Sequence, residues 1–395
     1  MNFRNRALAR VGAGAVGLIA AGAFAAPALA DTGEADVGIK AAGGTITADS
    51  SGKFSTISLV NNSKNDAAGI LVTLDLSELD QDKVRFTDEA CSREGDMVYC
   101  GIVGDVLKAG SDVDWLFPLQ AVEGATGDAG KITVSIEHDG VDPNPDNNKA
   151  TLKVQIAEAN GPDLLIVAGD VSEKVKVDSD GRLEFVGDLH AGETAALLYF
   201  VANFGDRAAD GMKITVKLPE GATFTEEEPD CVYSDDNRTA VCEYRNLPIV
   251  PADQDESEKD DIYSVYSFYN LITVAEDVAA PATLAGGTVS VEPLVKEQTE
   301  MSISSLPAAP ELPKNVEGVQ SLDVDPTDNV DEFNVIVAGT GGEGGGGGSL
   351  PVTGAQAGLI GGIGAVVVAL GAVLFFVARR RKVVLVTPQD EKSAE

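Results

Sequence analysis

Four cysteines fall into two close pairs, Cys91 with Cys100 and Cys231 with Cys242. Neither pair has the spacing of a metal finger, and neither of the two histidines, His138 and His190, stands beside one. Outside a reducing cytosol, such pairs read as two local disulfides. Each would close a loop of about ten residues and be worth about 2–3 kcal/mol. Oxygen ligands gather in Asp142-Pro143-Asn144-Pro145-Asp146-Asn147, where Asp142, Asn144 and Asp146 alternate as ligands for calcium would, and Asp325 and Asp328 partly echo them. The competing reading is that these side chains close turns by bonding their own backbone, so no metal and no cofactor is expected. An aromatic run, Tyr263, Tyr266, Phe268 and Tyr269, follows the acid-rich stretch 253–261. An exposed tyrosine row would stack on sugar rings, whereas core packing of one strand face is the simpler account. The acid run itself reads as a solvated loop.

Catalytic patterns are absent. There is no Gly-x-Ser-x-Gly, His-Glu-x-x-His or phosphate loop, and no cysteine is left over as a nucleophile. Carboxylate pairs of the glycosidase kind meet only in space, so a hydrolase within 162–338 stays as a rival reading. The expectation is that the chain is not an enzyme.

The two ends carry addresses. Arg4, Arg6 and Arg10 precede an uncharged run over 11–25, and Ala28-Leu29-Ala30 stands before Asp31. A basic region, a short apolar core and small residues at −3 and −1 make a secretory signal cleaved between Ala30 and Asp31. At the other end, residues 357–378 carry no charge. As a helix they would run about 33 Å, enough to cross a bilayer core of about 30 Å. Arg379, Arg380, Arg381 and Lys382 follow at once and would hold that end inside. Just before the apolar stretch stands Leu350-Pro351-Val352-Thr353-Gly354, preceded by a glycine tract over 339–349. Pro351 presets a backbone that an enzyme groove can read, and Gly354 leaves the bond after Thr353 open to attack.

This layout resembles the sorting signal of sortase substrates in Gram-positive bacteria. The resemblance implies that a membrane-bound cysteine transpeptidase cleaves after Thr353 and passes the acyl-threonine to an amine of the peptidoglycan precursor. Sortase and peptidoglycan are then the expected partners. The membrane holds the chain only before sorting, and the mature protein sits on the cell wall. The tail 383–395 extends past the basic cluster, which leaves room for a cytoplasmic contact before processing or for an uncut single-pass fraction.

The elements between the ends are short alternating apolar runs, such as 54–60, 70–76, 132–136 and 150–156, separated by Gly, Asp, Asn and Pro clusters. Period-two alternation with turns about every ten residues predicts an all-β chain of antiparallel sandwiches. An internal repeat strengthens this. Leu59-Val60-Asn61-Asn62, Ala67-Ala68 and 70–76 in one copy answer Phe200-Val201-Ala202-Asn203, Ala208-Ala209 and 212–218 in the other. Each copy runs on to a cysteine pair and an Asp-rich turn before a last strand, which predicts two tandem domains over 31–158 and 162–338. They resemble the Ig-like repeat domains strung along many bacterial surface proteins. The stretch 306–320 and the acidic loop 253–261 depart from that pattern.

The formal charge is −34. The stretch 31–353 holds 60 acidic and 21 basic residues, because residues outside it carry eight of the basic groups and three of the acids. Such a surface repels phosphate backbones, which excludes nucleic acid as a partner. A secreted, wall-anchored protein with a structural or adhesive role is the expectation. Its rival is a module that binds a glycan or a protein through the loops of 253–269.

Overall fold

In the segment Gly127–Glu137, Ile132, Val134 and Ile136 are buried, while Thr133 and Ser135 between them are half-buried. That alternation turns one strand face to a core and the other outward, and it recurs through most of the chain. The computed structural model describes residues 34–50, 52–87, 91–101, 106–157, 160–178, 182–255, 262–294 and 323–339. The signal segment with Ala30 and Asp31, the glycine tract from 340, the sorting motif Leu350 to Gly354, the apolar stretch 357–378, the tail 379–395, the segment 306–320 and most of the acidic loop 253–261 lie outside the described residues.

The first module contains β1 (Val37–Ala42), β2 (Thr45–Thr47), β3 (Lys53–Asn61), β4 (Ala67–Ala68), β5 (Leu71–Asp75), β6 (Val84–Phe86), β7 (Ser92–Glu94), β8 (Met97–Gly101), β9 (Val106–Leu107), β10 (Asp112–Ala121), β11 (Gly127–Glu137) and β12 (Lys149–Ala157). The second contains β13 (Leu164–Ala168), β14 (Glu173–Val177), β15 (Leu183–Asp188), β16 (Thr194–Asn203), β17 (Gly211–Lys217), β18 (Ala222–Phe224), β19 (Cys231–Tyr233), β20 (Thr239–Tyr244), β21 (Val265–Val274), β22 (Ala282–Leu294) and β23 (Val330–Val337). Apart from two short 3-10 turns, the described residues form strands and loops. No helix among them is long and apolar enough to cross a membrane.

Each module has two main sheets around its own core, and the first adds the short pair β4–β9. The order β1-β3-β10-β6 of the first recurs as β13-β16-β21-β18 in the second, and β12-β11-β5-β8-β7 recurs as β23-β22-β17-β20-β19. The second module adds the hairpin β14–β15 to the β16 edge. Polar signposts fix the equivalence. Asn61 Nδ2 donates to the carbonyls of Asn65 and Leu107, and Asn203 Nδ2 to those of Arg207 and Ile249. The counterpart of Asn203 is therefore Asn61, one residue earlier than the sequence pairing suggests.

The Asp-rich turns shift as well. Val37 N donates to Asp142 Oδ2 at 3.1 Å, and Leu164 N to Asp323 Oδ2 at 2.8 Å. Asn144 N donates to Asp142 Oδ1, and Asp325 N to Asp323 Oδ1. Asp142 thus corresponds to Asp323, not to Asp325. A two-residue error of this kind is invisible while the turn is only a string of acids.

Candidate functional site

The strand β3 is buried on both faces at its start, which alternation alone does not predict. Ile57 and Leu59 point into the first core, while Phe54 joins Leu165, Val167, Phe200, Ala202 and Phe204 of the second module. The rings of Phe54 and Phe204 meet edge to face with centroids 5.6 Å apart. This apolar seam removes water from the residue beside it, Lys53, whose side chain is 0% exposed.

Lys53 reaches out of the first module into three carboxylates of the second. Its Nζ lies 2.8 Å from Asp163 Oδ1, 3.0 Å from Asp325 Oδ2 and 2.9 Å from Asp328 Oδ2. The first two are hydrogen bonds, and the third is an ion pair at the same close range. The backbone brings the carboxylates together. Asp163 stands just before β13, and Asp325 and Asp328 lie in the turn before β23. Asp325 is held further by Thr45 N at 2.7 Å and by the Thr327 hydroxyl at 2.6 Å. Gly43 N donates to Thr327 Oγ1 from the other side of the seam. Gly43 has φ +77°, and a Cβ there would stand 2.7 Å from Asp328 Oδ2, so the backbone must pass without a side chain.

One cation cannot balance three buried anions, and the acid–base behaviour divides accordingly. Burial works to strip the proton from Lys53, but the charges of Asp163, Asp328 and Asp325 outweigh it and raise its pKa. Burial pushes Asp163 up to about 7 against the pull of Lys53, and it raises Asp328 well above the ordinary carboxylate range. For Asp325, Lys53 together with the Thr327 and Thr45 hydrogen bonds overcomes burial and lowers its pKa. The cluster therefore contains one ionised acid and two that tend to hold protons.

The repeat shows what is special here. At the equivalent corner of the first module, Asn147 Nδ2 donates to Asp36 Oδ1 at 2.8 Å, a neutral partner for one acid. In the second module the same two positions are Asp328 and Asp163. Lys53 of the first module supplies the donor that the asparagine no longer provides.

A second group of acids lines the same seam. Asp112 N donates to Asp170 Oδ2 at 2.6 Å, Asn334 N to Asp170 Oδ1 at 2.7 Å, and Ala168 N to Asp331 Oδ2 at 2.6 Å. The carboxyls of Asp114 and Asp331 are hydrogen-bonded to each other, and Ser58 Oγ donates to Asp114 Oδ1. Burial raises all four acids, Asp112 to about 8 and Asp170 to about 7. Lys40, paired with Glu332 at 2.6 Å, is the cation facing them.

The residues singled out in the sequence are placed as follows. Cys91 is bonded to Cys100 and Cys231 to Cys242, and among the described residues no free cysteine remains. Asp142 spends both oxygens on backbone N–H groups, and no described group of three or more His, Cys, Asp or Glu could hold a metal ion. Asn144 and Asp146 sit in and beside the short turn Pro145–Asn147. Tyr266 donates to the Pro248 carbonyl at 3.0 Å, and Phe268 stacks on Tyr199 at 5.5 Å. Tyr263 and Tyr269 remain 40% and 45% exposed. His138 Nδ1 accepts from Gly140 N, and His190 Nδ1 meets the Ala338 carbonyl at 3.0 Å, so both rings hold turns.

Lys53, Asp163 and the acids around Asp170 went unread in the sequence because their separations are 110 and 272 residues for the ion pairs of Lys53 alone. One signal was available: in a correctly aligned repeat, Asn147 becomes Asp328.

No protein-family model and no curated protein matches the chain. Among solved structures it is similar to a protein described as membrane anchored, from Corynebacterium diphtheriae, at 11% identity and TM-score 0.20, over 78% of this chain and 96% of that one. It is also similar to the major pilin subunit of Bacillus cereus, at 11% identity and TM-score 0.24, over 78% of this chain and 70% of that one. Red sea bream transglutaminase gives 9% identity and TM-score 0.21, over 78% and 32%. Likenesses this weak say nothing of what the chain does.

Proposed function

We propose that the chain is a non-catalytic surface protein, exported through its N-terminal signal and linked covalently to peptidoglycan at Thr353 by a sortase. The observation that carries this is the order of four features: a glycine tract, Leu350-Pro351-Val352-Thr353-Gly354, an uncharged stretch over 357–378 and a basic cluster. The apolar helix would hold the scissile bond near a membrane enzyme, which raises the effective concentration of the reacting groups. Two β-modules pinned by disulfides suit a rigid display role outside the cell, where thiols oxidise. The glycine tract reaches at most about 35–40 Å, so the modules would stand close to the wall. Muramidase digestion of purified walls should release a fragment of this chain that ends at Thr353 and carries murein. Intact protein found only in detergent extracts of the membrane would overturn the reading.

A second reading rests on the exposure of Tyr263 and Tyr269. In it, these two rings offer a stacking surface for sugar rings.

A further inference from the structure

We propose that the joint between the modules modifies itself: the backbone nitrogen of Gly161 attacks the side-chain amide of Asn160, with Asp206 as the base, and Asn160 ends as an aspartyl or isoaspartyl residue. Asn160-Gly161 is the only asparagine–glycine pair in the chain, and it stands between β12 and β13, where the first module gives way to the second. Glycine matters here because a side chain at 161 would shield the nitrogen beside it and hinder ring closure. Asn160 is exposed and Gly161 is buried, so the electrophile stands in solvent while the nucleophile is held.

The loop after β16 does the holding. Gly161 N donates to Asp206 Oδ1 at 2.8 Å, and Asp206 N donates back to the Gly161 carbonyl at 3.2 Å. Two residues on, Asp163 N donates to Asn203 Oδ1 at 3.1 Å, and Phe204 N to the Asp163 carbonyl at 2.8 Å. The fit is so close that a Cβ on Gly205 would collide with the Gly161 carbonyl oxygen. Asp206 is itself buried, and burial raises its pKa above the ordinary carboxylate value, which makes its ionised form a stronger base. An N–H bond lies in the plane of its peptide group, so a carboxylate that accepts from it leaves both faces of the nitrogen open. Asn160 Cγ can approach over one face while Asp206 stays in the plane. Fixing the nitrogen and its base together lowers the entropic part of the barrier.

The proton on Gly161 N passes to Asp206 Oδ1 as the nitrogen bonds to Asn160 Cγ. The bond from Cγ to Nδ2 then breaks, and Asp206 returns the proton so that ammonia leaves. One C–N bond forms, one C–N bond is lost and no electron changes hands. Water opens the cyclic imide at either carbonyl. Attack at the side-chain carbonyl gives aspartate, and attack at the main-chain carbonyl gives isoaspartate. Either product adds a negative charge at the joint, and the isoaspartyl form also lengthens the main chain there by a carbon atom.

The first module is an internal comparison. Asn61 holds Ser63 N as Asn203 holds Gly205 N, which puts Lys64 where the second module has Asp206. Asp36, the counterpart of Asp163, likewise puts Glu34 at the position of Gly161. Both the base and the open nitrogen are missing there.

The test is the intact mass of the mature chain, incubated folded at neutral pH and sampled over days. The mass should rise by the difference between water and ammonia. Peptide mapping should place the change at Asn160, with aspartyl and isoaspartyl forms both present. A constant mass overturns the proposal, and so does a gain that maps to another asparagine. In Asp206→Asn, the amide oxygen still accepts from Gly161 N but cannot take its proton, so conversion should slow by at least about tenfold. An unchanged rate overturns the role given to Asp206. Should that variant fail to fold, the pH profile of the natural chain decides the same point. With Asp206 as base, the rate levels off once its carboxyl is ionised, whereas a rate that keeps rising in proportion to hydroxide overturns the role.

Discussion

Lys53 is an improbable residue for a buried strand start, because an ammonium taken out of water loses several kcal/mol of hydration. It is retained there because three carboxylates converge on it and the Phe54 seam keeps water away. Close approach at this point depends on Gly43. A methyl group at 2.7 Å from Asp328 Oδ2, at φ +77°, would both strain the backbone and displace the carboxyl. Gly43→Ala is therefore expected to destabilise the folded chain by about 1–3 kcal/mol, read as a lower midpoint in urea unfolding. An unchanged midpoint would mean that the seam is loose enough to absorb a side chain, contrary to the contacts around Lys53.

At the level of elements, β21 divides its aromatic residues between two tasks. Phe268 is packed against Tyr199 and Tyr244, and Tyr266 is held by the Pro248 carbonyl. Tyr269 and, two residues ahead of the strand, Tyr263 are partly exposed, at 45% and 40%. Replacing the exposed pair by alanine removes little core and should change the free energy of unfolding by no more than about 0.5 kcal/mol. If these rings stack on sugars, the same double variant should lose retention on a glycan column. Equal retention of the variant and the natural chain would end that reading. Elsewhere the elements follow from local pattern: expected runs at 54–60 and 150–156 appear as β3 and β12, one residue longer at each end.

For the molecule as a whole, the seam makes stability depend on pH. Asp112, Asp114, Asp170 and Asp331 face one another there, with Lys40 and Glu332 at the margin. All four acids have folded pKa values raised by burial, so the folded chain binds protons that the unfolded chain has already released. The stability slope is negative wherever the unfolded state holds fewer protons. The loss runs from about pH 4, the ordinary carboxylate value, up to about pH 8. The lowered pKa of Asp325 and the raised one of Lys40 act outside that window, on its acid and alkaline sides. The melting temperature should fall by about 5 °C or more between about pH 5 and about pH 8, since each kcal/mol moves it by about 2–4 °C at this size. Asp114→Asn should flatten the dependence, because an amide can donate to Asp331 without needing a shared proton. A melting temperature that rises with pH over this range would refute the account.

Sequence by itself determined whatever depends on neighbours along the chain. Alternation of apolar residues specified strands, and close cysteines specified which pair could close. Each of these is a local pattern with a fixed period or spacing. The repeat was legible too, although Asn61 and Asp323, rather than Asn62 and Asp325, are the true counterparts of Asn203 and Asp142. Only the tertiary structure decided that the outer face of β3 is covered and that Lys53 meets Asp163, Asp325 and Asp328. No sequence pattern encodes that meeting. Coulomb attraction and dehydration act through space, and the groups that compensate one another here come from opposite ends of two modules.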